Sequence, residues 1–85
     1  MASYRLLIKP SAASELEPLP REDRRRIVAR LRGLSDEPRP PGCEKLSGLE
    51  LYRLRQGNYR ILYDVADAER AVTIVKIGHR RDVSR

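Results

Sequence analysis

The chain has 85 residues, a size that fits one small domain over residues 1–85, and 40% of its residues are hydrophobic while 35% are charged. This composition is typical of a folded domain with a heavily charged surface and excludes a disordered chain. The formal net charge of +6 favours polyanionic partners such as nucleic acid, the ribosome or an acidic protein.

Several classes of protein are excluded by what the sequence lacks. No apolar run reaches the roughly 18 residues that span a membrane, and the N-terminus has no apolar signal core, so we expect a cytoplasmic protein. Cys43 is the only cysteine, which rules out an internal disulfide. Because one cysteine and one histidine do not make a ligand set, no metal site is predicted.

The first elements are predicted to be a short strand and a short helix. Polar and apolar residues alternate over residues 3–9, which indicates a strand that Pro10 ends. Ser11 is a suitable N-cap for a short helix over residues 12–17, and Pro18 is expected to make that helix brief or bent.

A second helix is predicted over residues 21–33. Its apolar residues recur at spacings of four and three, at Ile27, Leu31 and Leu34, and form one stripe. Gly33 is predicted near the C-terminal cap, before a proline-rich loop over residues 35–43.

Three strands are predicted in the second half of the chain, over residues 49–56, 59–65 and 71–78. Gly57-Asn58 marks the first turn and residues 67–69 form the second. The element order β-α-α-β-β-β predicts an α+β fold: an antiparallel-rich, four-stranded sheet with two N-terminal helices packed on one face.

The hairpin between residues 52 and 63 carries the strongest functional signal. A two-residue turn at Gly57-Asn58, of type I′ or II′, places Arg55 opposite Arg60, with Arg53 two residues along on the same face. The other face is predicted to meet the helices and holds Tyr52, Leu54, Tyr59, Ile61 and Tyr63.

An anion site is predicted on the arginine face. Directly opposed like charges destabilise a sheet by up to about 1 kcal/mol, and no acidic residue is interleaved among Arg53, Arg55 and Arg60. Guanidinium groups match phosphate oxygens well, so a phosphate-containing ligand explains the cluster. The alternative is that these arginines only solvate the outer face of a half-buried sheet.

The remaining basic residues are assigned either to this site or to the solvent-exposed surface. Lys76 joins the arginine face if the register of the last strand allows it. His79 is either a neighbour of the site or an ordinary polar residue at a strand end. The arginines of the second helix that lie off its apolar stripe are expected to promote solubility; they are Arg21, Arg24, Arg25 and Arg32.

Three motifs together form a pattern: Lys45-Leu46-Ser47-Gly48, the hairpin just described, and the tail from Ile77-Gly78-His79-Arg80-Arg81 to Asp82-Val83. They resemble the RelE/ParE superfamily of bacterial toxins, most closely its RelE branch, over essentially the whole chain. The resemblance implies the toxin of a type II toxin–antitoxin pair that cleaves mRNA in the ribosomal A site. In such a ribosome-dependent endoribonuclease the 2′-hydroxyl attacks the adjacent phosphate, and no metal or cofactor is needed.

The resemblance also implies partners and residue roles. The expected partners are mRNA, the ribosome and an antitoxin with an acidic, amphipathic segment, through which the complex reaches operator DNA. The predicted catalytic residues are Arg53, Arg55, Arg60 and Arg80. The predicted substrate-binding residues are Lys45, Lys76, His79, Arg81 and Ser84.

The resemblance is uneven at single positions. Arg60 matches the arginine that stabilises the transition state, and Arg80 matches one that contacts the phosphate or assists the leaving group. Arg53 and Arg55 stand where the family's prototype has lysines; arginine keeps its proton in proteins, so their expected role is to bind phosphate. Ser84 stands where the family has a tyrosine that stacks on RNA.

Two other functions fit the same resemblance. A ParE-like toxin would inhibit DNA gyrase without cutting RNA. A homologue that has lost toxicity would only bind its antitoxin.

Overall fold

The computed structural model describes residues 3–79, which form two helices and five strands. The chain runs through β1 (Arg5–Ile8), α1 (Pro10–Leu16), α2 (Arg21–Asp36), β2 (Glu44–Lys45), β3 (Tyr52–Gln56), β4 (Tyr59–Ala66) and β5 (Ala71–His79). None of the helices in this part of the chain is long and apolar enough to cross a membrane.

Both helices differ at one end from the prediction. Lys9 is the N-cap of α1, so the prediction of Ser11 as cap is wrong. Pro10 begins the helix because its fixed φ suits the first helical position, where the missing N–H is not needed.

The second helix is longer than predicted. It continues past Gly33 to Asp36, and the backbone N–H of Glu37 donates to the carbonyl oxygen of Gly33 at 3.0 Å. Leu34, only 1% exposed, lies beyond the glycine, and its burial outweighs the roughly 1 kcal/mol that glycine costs inside a helix. The residue before Pro38 is disfavoured in helical geometry, which ends α2 here rather than at Gly33.

The sheet has the strand order β1-β5-β4-β3-β2, with β1 parallel to β5 and the other pairs antiparallel. The α+β fold and the position of the helices are confirmed, but the predicted count of four strands is wrong. The fifth strand is β2, whose two residues, Glu44 and Lys45, pair with Arg53 and Tyr52. Two residues are too few to show alternation, so the pairing is visible only in three dimensions.

The predicted hairpin register is confirmed pair by pair, including Arg55 opposite Arg60 and Tyr52 opposite Tyr63. Gly57 has a φ of 61°, whereas the φ of Asn58 is not positive. Of the two turn types that the sequence allowed, this combination is type II′.

A β-bulge interrupts the pairing of β4 with β5. Leu62 pairs with Lys76 and Tyr63 pairs with Ile74, which leaves Val75 without an opposite residue. The bulge reverses the alternation of β5, so Ile74 faces the helices while Lys76 faces the other side.

The core lies between the helices and one face of the sheet. Its buried side chains are Ala12, Ile27, Leu31, Leu34, Leu54, Ile61, Tyr63, Val72, Ile74 and Ile77. Tyr63 is fully buried, and its hydroxyl donates to the carbonyl oxygen of Pro38 at 2.7 Å. This bond joins the loop after α2 to the middle of the sheet and satisfies both polar groups.

Candidate functional site

Four cations lie on the sheet face that points away from the core. Arg55 pairs with Arg60 across the hairpin, and Leu62 lies between Arg53 on one side and Lys76 on the other. We call these four cations the basic face. Leu62 is only 6% exposed, so the aliphatic stems of its neighbours have an apolar surface to lie against while their charged ends stay accessible.

Arg60 has an unsatisfied donor. Its Nε is buried and has no hydrogen-bond acceptor among residues 3–79. A buried donor without a partner costs about 1–3 kcal/mol, and here a second guanidinium lies directly across the strand pair. An anion bound between Arg55 and Arg60 would relieve both penalties.

One carboxylate does enter the cluster, contrary to the expectation that no acid neutralises it. Glu44 lies opposite Arg53 across the β2–β3 pair and accepts a hydrogen bond from its guanidinium at 2.5 Å. The bond from Arg53 lowers the pKa of Glu44, and the positive charges of Arg55 and Arg60 lower it further. Glu44 therefore stays ionised and occupies Arg53, which leaves Arg55 and Arg60 as the pair with open binding capacity.

Lys76 reaches the basic face but is partly occupied. Its Nζ donates to Glu15 of α1 at 2.7 Å, and the other oxygen of that carboxylate accepts from the backbone N–H of Ile77 at 2.9 Å. Partial burial would raise the pKa of Glu15, but these two bonds lower it overall. Because β1 ends at Ile8, Glu15 takes the place of a strand partner at the edge of β5.

Two other predicted site residues lie on the helix-bearing face. Lys45 pairs with Tyr52, on the side opposite to Arg53, and its Nζ lies 3.7 Å from a carboxylate oxygen of Glu50. His79 pairs with Tyr59, and the two rings meet edge to face at 5.8 Å. The fold therefore does not bring either residue to the basic face. Arg80, Arg81 and Ser84 lie outside the described residues.

A polar network supports the end of the hairpin away from its turn. Arg39 donates two hydrogen bonds to Asp67, at 2.9 and 3.2 Å, and one to the hydroxyl of Tyr52 at 2.9 Å. Tyr4 also donates to Asp67, at 2.8 Å, and Tyr52 stacks on Tyr63 with 5.7 Å between ring centroids. Bonds from Arg39 and then Tyr4 lower the pKa of Asp67, so the ionised carboxylate ties together the residue before β1, the loop after α2 and the β4–β5 turn.

The fold and the basic face define a small α+β protein whose outer sheet face is suited to an anion. Residues 3–79 contain no group of three or more histidine, cysteine or acidic side chains placed to hold a metal ion.

The family model of the ParE toxin of type II toxin–antitoxin systems, parDE, matches residues 6–83. Since the match covers most of its length, the chain belongs to this toxin family, within the RelE/ParE superfamily.

Solved structures of RelE toxins have the same fold. The RelBE2 toxin–antitoxin complex from Mycobacterium tuberculosis matches with a TM-score of 0.84 and 29% identity over 94% of both chains. The archaeal RelE–RelB complex from Pyrococcus horikoshii OT3 matches with a TM-score of 0.83 and 32% identity, over 92% of this chain and 96% of that one. The isolated RelE toxin of E. coli matches with a TM-score of 0.79 and 25% identity, over 91% of this chain and 84% of that one. No curated protein sequence matches.

Proposed function

We propose that this toxin is a ribosome-dependent mRNA endoribonuclease of the RelE type. The observation that carries the proposal is the direct cross-strand pair of Arg55 and Arg60. The Nε of Arg60 is buried and lacks an acceptor among the described residues. Cleavage of a phosphate ester requires positive charge held at the reacting phosphate, which opposed guanidinium groups on a rigid sheet supply. A ParE-like gyrase inhibitor that does not cut RNA has no such requirement.

The chemistry asks for preorganised positive charge. Attack of a ribose 2′-hydroxyl on the adjacent phosphorus forms a five-coordinate phosphorane and breaks the bond to the 5′-oxygen. The products are a 2′,3′-cyclic phosphate and a 5′-hydroxyl. Guanidinium groups held on a sheet stabilise the charge that develops on the phosphorane oxygens without having to reorganise. Arg55 and Arg60 are the residues that we assign to this role.

Arg53 has a supporting role in this proposal. Because its guanidinium is bonded to Glu44, it orients the mRNA backbone or Glu44 rather than forming the primary phosphate contact. Arginine does not act as a general base, so the proton of the 2′-hydroxyl leaves through another group. Arg80 is proposed to contact the phosphate or to stabilise the negative charge on the leaving 5′-oxygen, which takes its proton from water or another group because arginine keeps its own. Arg81 and Ser84 are proposed to contact RNA.

The test is cleavage on programmed bacterial ribosomes, with the 5′ ends of the mRNA fragments mapped. The wild-type chain should cut within the A-site codon and leave cyclic phosphate ends. Arg60→Ala should slow single-turnover cleavage by about 10²- to 10³-fold, as expected when one preorganised donor is removed. Arg26→Ala, which removes an exposed arginine of α2, is the matched control. Cleavage at the full rate by Arg60→Ala would overturn the assignment.

Gyrase inhibition is the second candidate, because the family model that matches is that of ParE toxins. It predicts that the purified chain blocks DNA supercoiling by gyrase and that Arg60→Ala inhibits as strongly as wild type. A supercoiling assay beside the ribosome assay separates the two activities. Inducing the gene alone, without an antitoxin, would separate both from a non-toxic homologue.

We also propose an antitoxin partner with an acidic, amphipathic segment. Toxins with this fold have been solved in complexes with their antitoxins, RelB in the archaeal example. The net charge of +6 and the basic face would attract acidic side chains. Leu6, Leu7 and Ile8 of the edge strand β1 are 37–45% exposed and offer apolar contacts to the other side of such a segment. Co-purification with a small acidic protein encoded beside the toxin gene would test this.

A further inference from the structure

The edge of β3 holds a second concentration of arginines that the sequence did not reveal. β2 pairs with β3 only at Tyr52 and Arg53, which leaves the edge of β3 uncovered from Leu54 onward. A cleft of about 360 Å³ lies at this edge, lined by Arg30, Gly42, Glu44, Arg53, Leu54 and Arg55. We call it the edge cleft.

Arg30 reaches the edge cleft from the other layer of the fold. On α2 it lies three residues after Ile27 and four before Leu34, at the border of the buried stripe. Arg53 and Arg55 come from the face of β3 that points away from α2. Arg30 lies on the helix side of the sheet, whereas Arg53 and Arg55 lie on the other side. Side chains from the two sides can line one cleft only around a free strand edge, and β3 has such an edge here.

Arg30 also has an unsatisfied donor. Its Nε is buried without a hydrogen-bond acceptor among residues 3–79. Only Arg30 and Arg60 have such an atom in this part of the chain. Arg30 lines the edge cleft together with Arg55, and Arg60 is the cross-strand partner of Arg55. The edge cleft holds three guanidinium groups and one carboxylate, and that carboxylate is bonded to Arg53. Its remaining positive charge is therefore that of Arg30 and Arg55.

We propose that the edge cleft binds a second phosphate of the RNA backbone, with Arg30 as its phosphate-binding residue. Arg55, which belongs to both places, separates this phosphate from the one between Arg55 and Arg60. An extended RNA strand would then cross the hairpin from the basic face to the edge of β3. The inference rests on the proposed function for the identity of the polymer, and it adds a residue from α2 to the binding machinery.

The test measures binding of a single-stranded RNA hexamer with 2′-O-methyl riboses, which cannot be cleaved because the nucleophile is blocked. Dissociation constants are measured by fluorescence anisotropy across a salt series. Each phosphate contact with a single strand contributes about 0.7 to the slope of log K against log salt concentration. Arg30→Gln should reduce the slope by about that amount, and Arg26→Gln, an equal charge change on the exposed side of α2, should leave it unchanged.

The position of the contact is tested with hexamers in which one phosphate at a time is an uncharged methylphosphonate. In the wild-type chain two positions should weaken binding most. In Arg30→Gln one of these two positions should lose its effect while the other keeps it, and Arg30→Lys should restore part of it. A role limited to folding would weaken binding equally at every position.

Two results would overturn the inference: equal slopes for Arg30→Gln and Arg26→Gln, or a uniform loss of affinity at all phosphate positions. If Arg30→Gln does not fold, Arg30→Met, which keeps the aliphatic stem and removes the charge, takes its place. An effect lost at a single phosphate position then supports the contact, and unaltered effects at all positions overturn it. Ribosome cleavage is scored separately. Full cleavage by Arg60→Ala overturns the proposed function even where the Arg30 contact is found. If Arg60→Ala loses cleavage but Arg30→Gln shows no phosphate-specific effect, only the Arg30 contact is overturned.

Discussion

Replacing Arg60 by methionine should make the protein more stable and less active at the same time. Methionine keeps an unbranched apolar stem beside Leu62 and removes both the charge and the donor. The opposite outcomes arise because the features that suit Arg60 to bind phosphate are penalties in the free protein. Arg60 lies across from Arg55, and its Nε is buried without an acceptor among the described residues.

The gain in stability can be worked from these two features. Removing one of two opposed like charges relieves up to about 1 kcal/mol, and removing a buried unsatisfied donor relieves about 1–3 kcal/mol. The two terms overlap because they concern one guanidinium group, so we expect a net gain of about 1–2 kcal/mol in the free energy of unfolding. For a domain of this size that raises Tm by about 4–16 °C.

The assay is thermal and urea unfolding in a buffer without phosphate or sulfate, with Arg26→Met as the control for a surface charge change. Sulfate titrated into the wild-type chain should then remove the difference in unfolding free energy between it and Arg60→Met, since a ligand at ten times its Kd stabilises the folded state by about 1.4 kcal/mol. The stability of Arg60→Met should rise with sulfate only by the general salt effect that the control also shows. An Arg60→Met variant that is less stable than wild type, with an undiminished response to sulfate, would refute the reasoning.

Three further predictions concern the surroundings of the site. Because the folded-state pKa of Asp67 is lowered, the Arg39 network adds stability above about pH 4 and loses it as pH falls through the lowered pKa; Asp67→Asn should flatten that acid limb in a pH series of unfolding curves. Glu44→Gln should bind the uncleavable RNA about two- to fivefold more tightly, because the carboxylate competes with phosphate for its arginine partner, and unchanged affinity would remove Glu44 from the site. Tyr63→Phe should lower the free energy of unfolding by about 1–2 kcal/mol in urea, since the carbonyl of Pro38 loses its donor, and a neutral effect would show that the carbonyl finds another.

The hairpin shows how far local sequence signals reach. Two adjacent turn residues set the register, and the register alone placed Arg55 across from Arg60. The apolar stripe of α2 was equally readable, and each of its residues, Ile27, Leu31 and Leu34, is buried. Such patterns are legible because the period of a helix or strand is a property of neighbouring residues.

The ends of elements and the occupants of the basic face were less readable. Gly33 signalled the end of a helix that continues because Leu34 beyond it is buried. No periodic pattern in the sequence connects Glu44 with the arginines of the hairpin. It meets Arg53 only because β2 pairs with β3 at that position. Arg30 had the spacing of a residue flanking a buried stripe, but nothing nearby in the sequence connects it to β3.

The sequence by itself determined the class of fold, the hairpin and its face of arginines, since each depends on short-range periodicity and turn chemistry. The tertiary structure decided which charges meet. The bulge at Val75 turns Lys76 to the basic face, Glu15 and Glu44 reach their partners across separate elements, and the free edge of β3 brings Arg30 beside Arg55. These contacts depend on how strands are ordered and where they end, which long-range packing sets and local patterns do not encode.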